Sequence, residues 1–114
     1  MPFIKANIST SVSNEKEVAI KVGFGKAIQL IPGKTEAGLM VEIVENCTLY
    51  LAGNQDAKTA YIKVELMGDL TDENSNNITA AICELLEKEL SIPQNRIYVT
   101  YESIRLWGCN GKNF

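Results

Sequence analysis

The sequence predicts an α+β fold, in which two strand-helix-strand units build one four-stranded mixed sheet with both helices on the same face. Three observations indicate it. First, the stretches FIKANI (residues 3–8) and YIKVEL (residues 61–66) share one pattern. Second, each of them is followed by a helical stretch that runs into an Ile-Pro pair. Third, a strand follows each pair: LMVEIV (residues 39–44) in the first case and RIYVTY (residues 96–101) in the second. The chain is therefore two copies of one unit.

The composition is that of one globular domain spanning residues 1–114. The chain is 46% hydrophobic and 22% charged, with a net charge of −3. This charge gives no electrostatic reason to expect a nucleic acid or an anionic membrane as partner. No apolar run approaches the ~20 residues that span a bilayer, and the start lacks the features of a signal peptide. We expect a cytoplasmic protein, or one secreted without a signal peptide.

The first unit carries clear helix signals. Asn14, with Glu17 three residues later, is a candidate capping pair, and Pro32-Gly33 is expected to end the helix. The helix positions between them carry one apolar stripe, formed by Ile20, Phe24, Ala27, Ile28 and Ile31. After the second strand, CTLYLAG (residues 47–53) is expected to turn back as a short extra hairpin strand.

The second unit repeats these signals. Thr71 or Asp72 can cap its helix, and Pro93 ends it. The apolar stripe of this helix consists of Ile78, Ala81, Ile82, Leu85 and Leu86.

The predicted sheet has two unlike faces. The face toward the helices is apolar: Ile4, Ala6, Ile8, Leu39, Val41, Ile43, Ile62, Val64, Leu66, Ile97, Val99 and Tyr101. The other face mixes charged and apolar groups: Phe3, Lys5, Asn7, Glu42, Tyr61, Lys63, Glu65, Met67, Tyr98, Thr100 and Glu102. A symmetric oligomer that encloses this second face satisfies both kinds of group, and the alternative is a monomer with an amphipathic open sheet.

Several common chemistries are excluded by residue type. The chain has no histidine, and its three cysteines never occur as C-x-x-C, so we expect no zinc site and no Ser-His-Asp triad. We also expect no other metal and no cofactor. The PGKT stretch is not a phosphate-binding loop, because Ile28 stands where the first glycine is needed. Any proton transfer must use a carboxylate, a lysine, a tyrosine or the terminal amine.

The landmarks together resemble a known family. The starting MP, the GK pair after the first helix, ELMG at the end of the third main strand, PQNRIYVTY and the tail LWGCNGKNF resemble the macrophage migration inhibitory factor family of the tautomerase superfamily, over essentially the whole chain. The resemblance implies a homotrimer with sites at its subunit interfaces. It also implies an isomerase, a cofactor-free keto-enol tautomerase of phenylpyruvate or of a dopachrome-like compound.

The resemblance also assigns site residues. It implies that Pro2 is the catalytic base once Met1 is removed. The substrate-binding positions that it implies are Lys34, Met67, Tyr98, Thr100, Trp107 and Phe114. An α-amino group ordinarily titrates near ~7.7–8.0, and both burial and the nearby Lys34 cation would lower the pKa of this one toward neutrality. A retained Met1 would instead make the nitrogen of Pro2 an amide without basicity.

The chain departs from the family pattern inside the implied pocket. Met67 stands where the family often has isoleucine, Gly38-Leu39 where many members carry an aromatic residue, Thr100 where many carry asparagine, and Cys109 where a tryptophan is common. These changes keep a second function open. The chain would then be a binding or cytokine-type protein with a vestigial pocket and a receptor that the sequence does not identify.

Overall fold

The computed structural model describes the whole chain, residues 1–114, and has the predicted architecture. Its elements in chain order are β1 (Pro2–Ile8), α1 (Asn14–Ile28), β2 (Met40–Val44), β3 (Ala60–Met67), α2 (Asp72–Leu90), β4 (Ile97–Ile104), β5 (Gly108–Cys109) and β6 (Lys112–Asn113). The main sheet has the order β2-β1-β3-β4, and β5 and β6 form a separate hairpin. The strands pair in parallel within each unit, β1 with β2 and β3 with β4, and β1 pairs antiparallel with β3.

The core lies between the sheet and the two helices, as the alternation of the strands predicts. Both apolar helix stripes face it, and its fully buried members include Ile4, Ile62 and Phe24. The helices approach closely at Gly23, where an added Cβ would collide with the side chain of Leu85. No helix is both long and apolar enough to cross a membrane.

The structure corrects both predicted ends of α1 and decides between the two candidate caps of α2. The N-cap of α1 is Ser13 rather than Asn14, because the Ser13 hydroxyl accepts a hydrogen bond from the backbone N–H of Lys16 at 3.2 Å. Thr71, rather than Asp72, caps α2 in the same way. The last helical residue of α1 is Ile28, before Pro32-Gly33, because the following backbone N–H groups bond three residues back rather than four.

The predicted extra strand over residues 47–53 is wrong. Only one bridge forms there, between Leu51 and Asn54. Ala52 and Gly53 between them have φ values of 53° and 77°, so the chain reverses in a tight turn instead of continuing as a strand.

The face of the sheet opposite the helices carries ion pairs and exposed aromatic rings. Lys63 lies 3.6 Å from Glu65 and 3.8 Å from Glu102, and Lys5 lies 3.9 Å from Glu42. This mixture of groups agrees with the predicted second face.

Matched substitutions in α1 test the placement of the core. We expect Ile20→Ala, which removes a side chain without exposed surface, to lower the free energy of unfolding by about 2–5 kcal/mol. Val18→Ala should change it by no more than about 0.5 kcal/mol, because Val18 is 55% exposed. Urea denaturation measures both, and equal losses would contradict this orientation of the helix.

Candidate active site

The start of the chain is held at one end of the sheet. Pro2 is buried, begins β1 and lies opposite Leu66 of β3. The backbone carbonyl of Met1 accepts a hydrogen bond from the N–H of Met67 at 3.2 Å. The sheet therefore fixes residue 2, at a position where a free chain terminus would ordinarily fray.

Lys34 reaches the same place from the turn after α1. Its ammonium donates a hydrogen bond of 2.8 Å to the backbone carbonyl of Met67. Gly33, with φ of 83°, provides the left-handed turn that directs the chain there. Three of the residues assigned from the sequence, Pro2, Lys34 and Met67, thus meet at one end of β1 and β3.

A cavity of about 450 Å³ opens beside Pro2. We call it the Pro2 cavity. Its walls include Pro2, Gly38, Met40, Glu65, Trp107 and Cys109. They are mostly apolar, with one carboxylate, which is the usual character of a site for a small organic ligand.

The tail of the chain closes one side of the Pro2 cavity. Trp107 lies in its wall just before β5. Phe114 does not line this cavity and is 60% exposed, but its backbone N–H donates a hydrogen bond of 3.0 Å to the carbonyl of Trp107. In the single chain, Phe114 therefore steadies Trp107 through its backbone.

The electrostatics here disfavour a protonated terminal amine. The pKa of the Met1 amine lies below its ordinary value of 8.0, first because burial disfavours the charged form, then because of a hydrogen bond with Lys34 and the positive charge of Lys34. In the chain that retains Met1, this amine is the only terminal base, because the nitrogen of Pro2 is in an amide bond.

Two assigned residues lie away from the Pro2 cavity of their own chain. Tyr98 pairs with Tyr61, and Tyr61 pairs with Asn7 near the far end of β1. At the usual rise per residue of a strand, Asn7 lies roughly 16 Å from Pro2 along β1. The hydroxyl of Thr100 is 3.0 Å from that of Tyr61. One chain therefore does not bring Tyr98 and Thr100 to Pro2.

The sequence of this chain and its fold have clear relatives. The family model of macrophage migration inhibitory factor (MIF) matches residues 1–114. The chain belongs to the MIF family. It is 27% identical over 105 residues to the MIF-like protein mif-2 of Caenorhabditis elegans, covering 91% of this chain and 85% of that protein.

Two solved structures extend the comparison to the fold. Leishmania major MIF2 is 31% identical, with a TM-score of 0.92, over 100% of this chain and 97% of that one. The MIF homologue of Prochlorococcus marinus is 26% identical, with a TM-score of 0.88, over 98% of each chain. The resemblance seen in the sequence motifs is thus confirmed, and so is the tautomerase-type fold.

The site also contains groups that the sequence motifs did not assign. Glu65 and Met40 line the Pro2 cavity. Only strand register could have indicated Glu65, which lies directly opposite Phe3. A Cβ built at Gly38 would lie 3.9 Å from Cδ of Pro2, so an aromatic side chain at this position would form a wall over the proline, and this family member lacks that wall.

A titration tests the electrostatic effect of Lys34. We expect Lys34→Gln to raise the pKa of the terminal amine, because the substitution removes a positive charge that disfavours protonation, while burial still holds it below the ordinary value. NMR titration of an isotopically labelled terminal residue measures this. Lys26→Gln, in the last turn of α1, is the matched control and should leave the pKa unchanged. An identical pKa in all three proteins would contradict the assignment.

Proposed function

We propose that this MIF-family protein is a keto-enol tautomerase of aryl 2-oxo acids such as phenylpyruvate, or of dopachrome-like compounds, with the amine of Pro2 as general base after removal of Met1. The observation that carries the proposal is the environment of the start of the chain. Pro2 is buried at a cavity whose surroundings, including Lys34, lower the pKa of a terminal amine. A base with a pKa near the working pH suits the removal of a carbon-bound proton.

The proposed reaction moves one proton and changes no oxidation state. The neutral amine of Pro2 takes the proton from the carbon next to the carbonyl of the keto form, and the carbonyl oxygen gains negative charge as the enolate forms. The ammonium of Lys34 holds the substrate carboxylate or stabilises this developing charge. The ammonium of Pro2 then gives this proton to the oxygen, which completes the enol and makes the amine neutral again, and the reverse sequence regenerates the keto form. Met67 and Trp107 contact the aryl group, and Phe114 lies near the mouth of the pocket.

The proposed active form is a homotrimer in which each Pro2 cavity is completed by a neighbouring subunit. Tyr98 is 59% exposed and lies far from the Pro2 of its own chain. A neighbouring subunit that packs on the polar face can bring Tyr98 and Thr100 to a second chain's Pro2 cavity. Tyr98 then donates a hydrogen bond to the substrate.

The residues by which the pocket differs from the family pattern support a second candidate function. Gly38 leaves the Pro2 cavity without an aromatic wall, and Cys109 stands in its lining in place of a larger ring. A binding or cytokine-type protein would need a cavity of this kind for recognition only. Phenylpyruvate turnover by the protein that lacks Met1 distinguishes the two functions.

Catalysis should depend on a free amine at Pro2. In the protein that lacks Met1, Pro2→Ala should lower kcat/KM for phenylpyruvate by about 10²-fold or more, because a positioned base is replaced by a differently placed primary amine. A leucine inserted between Met1 and Pro2 blocks removal of Met1 and should abolish turnover. Near-normal rates in the protein with the inserted leucine would rule out Pro2 as the base.

Mixed trimers test the shared site. Pro2→Ala and Tyr98→Ala homotrimers should both be impaired, but refolding the two chains together in equal amounts should restore about a quarter of the sites, because some cavities then combine an intact Pro2 with an intact Tyr98. Light scattering should give about three times the mass of one chain. No recovery of activity on mixing, or a monomer at micromolar concentration, would contradict the proposed assembly.

Thr100 should affect binding more than proton transfer. The longer, planar amide of asparagine has two donors and an acceptor where threonine has one hydroxyl, so Thr100→Asn should lower KM for hydroxyphenylpyruvate with little change in kcat. Steady-state kinetics with hydroxyphenylpyruvate, and with phenylpyruvate as control, measure this. A change in kcat alone would mean that Thr100 does not contact the bound substrate.

A further inference from the structure

Glu65 stands between two cavities. It lines the Pro2 cavity, and it also lines a second cavity of about 320 Å³ on the polar face of the sheet, together with Lys5, Glu42 and Lys63. Phe3, which lies directly opposite Glu65 in the strand register, is the other residue shared by the two cavities. The two side chains therefore form the partition between the polar face and the Pro2 cavity.

The carboxylate of Glu65 is only partly neutralised. Its side chain is 25% exposed, and its one polar partner is Lys63, 3.6 Å from Oε1. Lys63 is also shared with Glu102, at 3.8 Å. Two carboxylates thus compete for one ammonium, so the partition keeps a net negative charge. At this exposure, such a charge acts on a nearby ligand with less screening by solvent and salt than a fully exposed charge would.

The two ends of the site therefore differ in charge. Lys34 lies at the end of β3, bonded to the carbonyl of Met67, and supplies a cation for a ligand carboxylate. Glu65 lies two residues back along the same strand and faces the cavity from its partition. A ligand with its carboxylate at Lys34 and its other end in the Pro2 cavity would therefore meet this negative wall.

We propose that Glu65 is a specificity-determining residue of the Pro2 cavity. It admits ligands with a single carboxylate whose far end is uncharged or donates a hydrogen bond, such as a phenol, and it rejects ligands with a second anionic group at that end. The inference rests on the proposed function to the extent that the Pro2 cavity must be the ligand site. The specificity itself follows from the placement of one carboxylate.

Trp107 allows a test that does not need turnover. It is the only tryptophan of the chain and lies in the wall of the Pro2 cavity, so its fluorescence reports binding there directly. Three probes that do not tautomerise differ only at the far end of the ring: phenylacetate, 4-hydroxyphenylacetate and 1,4-phenylenediacetate. The protein without Met1 should bind the dianion about tenfold more weakly than phenylacetate, and added salt should reduce this difference.

The variant Glu65→Gln should remove most of this discrimination by strengthening binding of 1,4-phenylenediacetate about tenfold, while binding of phenylacetate stays within about twofold. Glu42→Gln is the matched control, because it neutralises a carboxylate that lines only the second cavity and pairs with Lys5 rather than with Lys63. It should leave the discrimination in place. Glu65→Asp keeps the charge and should also retain it.

The outcomes separate this inference from the proposed function. If phenylacetate binds and the wild-type protein binds the dianion equally well, Glu65 has no role in selectivity, whatever the variants do. Equal changes in Glu65→Gln and Glu42→Gln would also overturn the inference, since the effect would then belong to the general charge of the face. If none of the three probes alters Trp107 fluorescence, the Pro2 cavity is not a ligand site, and the proposed function fails with it.

Discussion

The site depends on one constraint, which is that the first strand of the chain is an interior strand of the sheet. β1 pairs with β2 on one side and with β3 on the other, and its apolar residues Ile4, Ala6 and Ile8 have no exposed surface. A chain terminus is ordinarily mobile. Here the pairing continues up to Pro2, which is buried, so the sheet holds the backbone of that residue in place. A terminal amine can act as a positioned base only under such a constraint.

The surroundings of this terminus supply what the chain otherwise lacks. With no histidine available, a base that is neutral near physiological pH has to be obtained by lowering the pKa of an amine. Burial and Lys34 lower the pKa of the Met1 amine, directly before β1. The fold holds Lys34 there through the carbonyl of Met67 rather than through a carboxylate, which leaves its charge uncompensated by an acidic partner.

Most of the fold could be predicted from the sequence because its periodicities are clean. The strand alternation and the repeated unit indicate four strands and two helices with the correct faces. The errors lie where several polar residues compete locally. Ser13 caps α1 although Asn14 is adjacent, and residues 47–53 form a turn although they are apolar, because Ala52 and Gly53 adopt positive φ.

The site was predictable only in part, for a different reason. Pro2, Lys34, Met67 and Trp107 are brought together by elements that the motifs mark. Glu65 enters through strand register, which a motif does not encode. Tyr98 and Thr100 lie away from Pro2 in the fold of one chain, so their place in the site rests on the proposed assembly. Their positions could not be derived without a hypothesis of assembly.

The central claim is that Pro2 works through a free amine, so the covalent state of the natural N-terminus tests it most directly. Intact-mass measurement of the protein purified from its own cells, followed by sequencing of the N-terminal peptide, determines this state. The account predicts a chain that lacks Met1 and begins with an unmodified Pro2. A natural protein that quantitatively retains Met1, or carries an acyl group on Pro2, would contradict it.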